Sequence, residues 1–237
     1  MKRFYKTAST GFEHDGITVL LDGKLLKTPS RQTMFVPTQS LADEICREWG
    51  AQKEEIIPDT MPMTQLLTTV IDRITPQRAA IIADILNYID TDLVCYVITD
   101  PPELQAYQQR LWTPVRDWFE KTFNTTLNVT TGILAIQQND DVHMVIASFL
   151  EALDDNHLGA FQLMVSTTGS VILSIAFYMG VFDADHINQA IFIDEDYKAE
   201  LYNEEFYGRA PQQEVKEKNA KADLYASIKF KNLLSAA

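Results

Sequence analysis

Residues 193–208, IDEDYKAELYNEEFYG, carry the densest set of groups able to do chemistry: Asp194, Glu195, Asp196, Glu200, Glu204 and Glu205, interleaved with Tyr197, Tyr202, Phe206 and Tyr207. Carboxylates at this density can ligate a metal ion, act as acid and base, dock a basic partner, or keep one helix face wet. A helix over 184–206 centred on Ile187 places Ile191, Asp194, Lys198, Leu201 and Glu205 within about 40° of one direction. Two carboxylates then share an apolar face, with Glu195 and Tyr202 on one border and Ala190 and Tyr197 on the other. An unpaired charge buried there would cost several kcal/mol or shift its pKa until neutral. Three readings follow: a solvated face, an internal ion pair or cap, and an acidic-aromatic docking patch. The enzymatic alternative is a metal-assisted hydrolase using Asp194, Glu195 and Asp196 as ligands or bases. Successive helix residues diverge by about 100°, so all three cannot converge on one ion.

Other chemistry finds less support in the sequence. There is no Gly-x-x-x-x-Gly-Lys and no Gly-x-Gly-x-x-Gly, so no nucleotide site is expected. His14, His143, His157 and His186 are isolated, and Cys46 and Cys95 sit apart among apolar neighbours as core thiols of a reducing compartment. No metal or other cofactor is therefore expected. Thr168-Gly169-Ser170 lies inside an apolar run rather than on the strand-to-helix turn a serine nucleophile needs.

The elements that position these residues follow from the whole chain. Its 237 residues, 46% hydrophobic, suit a folded α+β protein of one large or two small domains. The net charge of −13 would repel a phosphate backbone, so nucleic acid is not expected as a partner. Residues 209–237 tilt the other way: six Lys and Arg against three Asp and Glu give +3, leaving −16 on the rest. Leu158–Phe182 contains no Asp, Glu, Lys or Arg and is long enough to span a bilayer. Its Ser166, Thr167, Thr168, Ser170 and Ser174, and its acidic flanks, instead predict one buried central helix over 158–180 and no stable membrane insertion. Ser166, Ser170 and Ser174 would line one side of that helix and admit a close neighbour.

Nearer the N-terminus, GITVLLDGKLLKT predicts a hairpin turning at Asp22-Gly23, and TMFVP a further short strand. Pro37-Thr38 opens a helix to about Gln52 with Leu41, Ile45 and Trp49 on one face, which gives Trp49 and the adjacent Glu48 structural roles. Thr75-Pro76 predicts an N-cap, Asp100–Glu103 a capping box, and Pro114 a break. LNVTTGILAIQ, 127–137, reads as a strand able to join the N-terminal sheet. Further helices are expected over 141–153, 184–206 and 212–233. The expected division is a β-rich α+β domain over 1–65, a small hairpin sheet packed on a helix, and a larger all-α domain over 66–237.

A resemblance goes further. Arg3-Phe4-Tyr5-Lys6, Leu21-Asp22-Gly23, Lys27-Thr28-Pro29, Val36-Pro37-Thr38, Glu48-Trp49 with Gln52, and Met61-Pro62-Met63-Thr64 followed by Asp72 stand in an order and spacing found in one family. DTDLVCY and QRLWTPVRDW continue it. The chain resembles the ATP synthase assembly chaperones that bind the free alpha subunit of the catalytic head in mitochondria and some bacteria. The resemblance implies a chaperone that is not an enzyme, holds the unassembled alpha subunit by its beta-facing surface, and is displaced on assembly. It maps the family's functional acidic position onto Glu195, with Asp194 and Asp196 beside it and Tyr197 and Tyr202 flanking. Val97, Lys198, Tyr202 and Asn203 depart from the family pattern. Because the chain begins at the first family motif, a bacterial cytoplasm is expected rather than the mitochondrial location of related members.

Overall fold

The computed structural model describes residues 1–14, 16–201 and 211–235. A small antiparallel sheet near the N-terminus is followed by helices, and the chain forms two compact units. The first comprises Met1–Ile81, Leu153–Ala160 and Ala226–Ala237; the second comprises Ile82–Ala152 and Phe161–Tyr225.

In the first unit, β2 (Gly16–Leu21) is central, paired along its length with β1 (Ala8–Glu13). Its other edge is shared by β3 (Lys24–Leu25) and β4 (Phe35–Val36). Asp22 (φ 48°) and Gly23 (φ 78°) both lie in the left-handed region, which matches the twist of a two-residue hairpin. Helix α1 (Gln39–Ala51) starts where Thr38 accepts from the Leu41 amide, and it lays Leu41, Ala42, Ile45 and Trp49 against the sheet. The chain then forms α2 (Pro62–Thr69), a π-helical turn over Val70–Ile74, and α3 (Thr75–Asn87). Thr75 is helical rather than an N-cap, because the π turn carries the helix through it; the irregular residue is Gln77. The first turns of α7 (Asp155–Thr168) return to this unit, where Arg78 donates to Asp155 and to the Leu153 carbonyl. A Cβ on Gly159 would lie 2.5 Å from Val70 Cγ2, so only glycine permits that approach. Residues 226–235 of the last helix, α11 (Pro211–Ser235), also belong here: Thr38 Oγ1 donates to the Leu233 carbonyl, and Lys229 pairs with Glu44 at 2.5 Å.

The second unit contains α4 (Pro102–Leu111), α5 (Thr113–Phe123), α6 (Asp140–Ala152), α8 (Val171–Tyr178), α9 (Ala184–Ile191) and α10 (Ile193–Leu201). No side-chain capping box forms ahead of α4, because the N-cap position falls on Pro101, whose side chain has no acceptor to offer. The break expected from Pro114 occurs at Trp112.

Three expectations fail here. Residues 127–137 are not a strand and belong to the second unit: apart from one bridge of Thr130 to Tyr96, they form an irregular loop. Apolar β-branched residues suggested a strand, but Ile133 and Leu134 face solvent. The apolar run over 158–180 is two helices, because Gly169 (φ 65°) ends α7 and Ser170 caps α8, its Oγ accepting from the Leu173 amide. Ser170 and Ser174 are buried and Ser166 is exposed, so the three serines form no single line. The helix expected over 184–206 breaks at Phe192 (φ −112°, ψ 23°), so the wheel centred on Ile187 does not carry into α10. Among the described residues, no helix is long and apolar enough to cross a membrane.

Candidate functional site

The acidic residues are presented by the α9–α10 corner. Asp183 starts α9 by accepting from the His186 amide at 2.8 Å. His186 Nε2 lies 3.1 Å from the Leu111 carbonyl, and Trp112 Nε1 donates to the Ala190 carbonyl at 2.8 Å. Both ends of α9 are thus tied to the α4–α5 junction. Phe192 and Ile193 are buried and hold the start of α10 to the body of the unit.

Asp194, Glu195 and Asp196 occupy the first turn of α10, where negative charge complements the helix dipole. Asp194 is exposed, while Glu195, Asp196 and Tyr197 are half-buried. Glu195 accepts from Lys216 of α11 at 3.2 Å, and the same ammonium sits 5.3 Å from the centre of the Phe192 ring. The Glu195 side chain is 29% exposed and that of Lys216 63%, so the pair is screened by water and exchangeable. Beneath the carboxylates lies a cavity of about 170 Å³ whose walls include Tyr96, Ile98, Gln108, Trp112 and Ile191, with Asp194 and Glu195 at its edge. The arrangement offers an apolar recess with carboxylates beside it, suited to an amphipathic or basic side chain. Sequence reading found the carboxylates but not the recess, since residues 93–98 and the α4–α5 junction reach it only through the fold. Tyr202, Glu204, Glu205, Phe206 and Tyr207 lie outside the described residues.

The described residues contain no group of three His, Cys, Asp or Glu arranged to hold a metal ion. The histidines have local roles instead, with His143 Nε2 3.0 Å from Asp90 and His157 Nδ1 3.0 Å from Asp154. The hydrolase alternative therefore gains no constellation.

Trp49 and Glu48 sit inside the first unit. Trp49 packs edge-on to Tyr5 with ring centres 5.4 Å apart, and the Tyr5 hydroxyl donates to the Trp49 carbonyl at 2.7 Å. Glu48 accepts from the Met63 and Thr64 amides at 2.7 and 2.8 Å and from the Thr64 hydroxyl at 2.7 Å. A buried carboxylate from α1 thereby caps α2. The other motif residues are joined in the same way. Arg3 donates to the Gln52 carbonyl at 2.6 Å, Gln52 accepts from the Ile57 amide at 2.8 Å, and Thr28 donates to Asp72 at 2.7 Å.

A family model described as ATP12 chaperone protein matches residues 2–120. The mitochondrial atp12 protein of Schizosaccharomyces pombe is 26% identical over 196 residues, 78% of this chain and 67% of that protein. The crystal structure of Atp12 from Paracoccus denitrificans superposes with a TM-score of 0.88 at 31% identity, covering 98% of each chain. A variant of the Paracoccus protein carrying an aspartate-to-lysine substitution gives the same TM-score. The Atu1473 protein of Agrobacterium tumefaciens matches at 0.87 and 31% identity, covering 99% of this chain and 85% of that one. Fold and sequence together define a chaperone of ATP synthase assembly. The chain belongs to the ATP12 chaperone protein family.

Proposed function

We propose that this chaperone binds the unassembled alpha subunit of ATP synthase in a bacterial cytoplasm, covers the surface that the beta subunit later covers, and leaves on assembly. Its work is binding, without catalytic chemistry. A subunit interface exposed before assembly is apolar and aggregates unless shielded, and a transient cover meets that need. Glu195 is the principal contact, with Asp194, Asp196, Tyr197 and Tyr202 as further contact residues. The carboxylates engage basic groups of the partner and the aromatic rings add contact area. The observation that carries the reading is the position of Asp194 and Glu195 at the edge of an apolar recess, in a chain of this family. Lys216 holds Glu195 until a stronger basic partner replaces it.

The test is co-expression with the alpha subunit of the same organism, without beta, followed by size exclusion. The expected outcome is a heterodimer for the wild-type chain, lost or weakened about tenfold or more in Glu195→Lys, whose melting temperature stays close to wild type. Recovery of the wild-type chain free of alpha would refute the reading. Destabilisation of the variant in step with its loss of binding would assign Glu195 an internal role instead.

A further inference from the structure

The recess beside α10 shares two wall residues with a second one. Tyr96 and Ile98 line both the cavity under Glu195 and a more open cavity of about 460 Å³, whose far wall is Thr131, Gly132 and Ile133. The loop carrying that wall is anchored on both sides. The Thr130 amide donates to the Cys95 carbonyl at 2.9 Å and the Val97 amide to the Thr130 carbonyl at 2.7 Å. On the other side, the Ile136 amide donates to the Asp90 carbonyl at 3.0 Å and the Gln138 amide to the Asp90 carboxylate at 2.9 Å. Between these anchors, Ile133 is 95% exposed and Leu134 79% exposed.

A single exposed aliphatic residue needs no explanation. Two adjacent ones on a tip pinned at both ends, beside a cavity, form a preorganised contact that loses little freedom on binding. The surroundings state what would cover it. The carboxylates of Asp100, Asp194 and Glu195 border the two cavities, so a partner fits best if its apolar side chains are flanked by arginine or lysine.

We propose that the surface holding the partner extends beyond α10, across Tyr96 and Ile98, to the Ile133–Leu134 tip. It takes a segment of the alpha subunit that presents an apolar side chain next to a basic one. This rests on the alpha-subunit reading above. The carboxylates select and orient the segment, while the tip and the two cavities supply the apolar contact.

The experiment compares the full chain, the double variant Ile133→Ser with Leu134→Ser, and Glu195→Lys, each titrated against purified alpha subunit. Melting temperatures are measured alongside. Both tip side chains are exposed, so the double variant should melt with the wild type while binding alpha about tenfold or more weakly. Amide hydrogen exchange on the wild-type complex provides a reading free of mutation, with slower exchange expected across residues 131–135. Wild-type affinity in the double variant, or unchanged exchange in that loop, would overturn the extended surface and leave the alpha-subunit reading intact. A wild-type chain that binds no alpha would overturn both.

Discussion

Glu48 shows how an acidic residue can serve the fold. Its carboxylate meets three donors at the start of α2, two of them amides that would otherwise lack partners at a buried helix end. Glu48→Ala removes all three interactions at once and strands those donors away from water. The expected loss is about 1–3 kcal/mol, read as a lower urea midpoint. Glu48→Gln, which keeps one acceptor, should lose less. Equal midpoints for all three proteins would show that water replaces the carboxylate freely. Glu195 differs from Glu48 in setting rather than in chemistry: its one described cation is exposed and replaceable, and a recess lies beside it. Trp49 stands with Glu48, since the edge-on Tyr5 ring and the sheet enclose it.

At the scale of elements, the break between α7 and α8 rests on a buried polar cluster. Asp92 Oδ1 accepts from Ser170 Oγ at 2.6 Å and Oδ2 from the Ile172 amide at 3.1 Å, so a residue far away in sequence caps α8. Burial pushes the Asp92 carboxyl up to about 6, against the hydrogen bonds from Ser170, Ile172, Val94 and Val171 that favour its charged form. An unfolded chain releases that proton near 3.8. Between these values the folded state binds the extra proton, so this stabilisation is complete below the lower value and lost as pH rises through the upper one. The difference corresponds to roughly 3 kcal/mol at most. Urea midpoints taken across this window should fall more steeply with rising pH in the wild type than in Asp92→Asn, and parallel profiles would refute the assignment.

The same cluster shows where sequence reading reaches its limit. The hairpin at Asp22-Gly23 and the Thr38 cap were legible because their signals are local: a dipeptide and a cap beside an apolar period. The breaks at Gly169-Ser170 and Phe192 were not. Helical periodicity runs through both, and the Asp92 carboxylate that helps fix α8 arrives from about eighty residues away. The loop over 127–137 misled for a related reason, since aliphatic residues meant for a surface have the composition of a strand. At the candidate site the carboxylates could be read directly. Their cavity could not, because its walls come from three separate stretches of chain.

For the molecule as a whole, charge is distributed with a consistent sense. Lys216, Lys221 and Lys229 of the basic last helix pair with Glu195, Asp185 and Glu44, so part of its positive charge is matched within the chain. The net balance stays at −13. A basic partner would then be steered by a field that salt screens, and raising ionic strength from about 0.05 to 0.5 M should slow association more than it speeds dissociation. Kinetic titrations at several salt concentrations would show this, and Glu195→Lys should flatten the dependence. A salt-independent association rate would mean that apolar contact alone governs the encounter.

Thr38 and Glu44 find partners in Leu233 and Lys229, near the opposite end of the polypeptide. On the ribosome, therefore, the N-terminal sheet and α1 leave the exit tunnel long before the residues that complete their unit have been translated. Thr38 and Glu44 must wait without these partners until residues 229–233 have been translated. A chaperone of assembly thus passes through its own interval of incompleteness, and clipping α11 would be felt at α1, a helix made long before it.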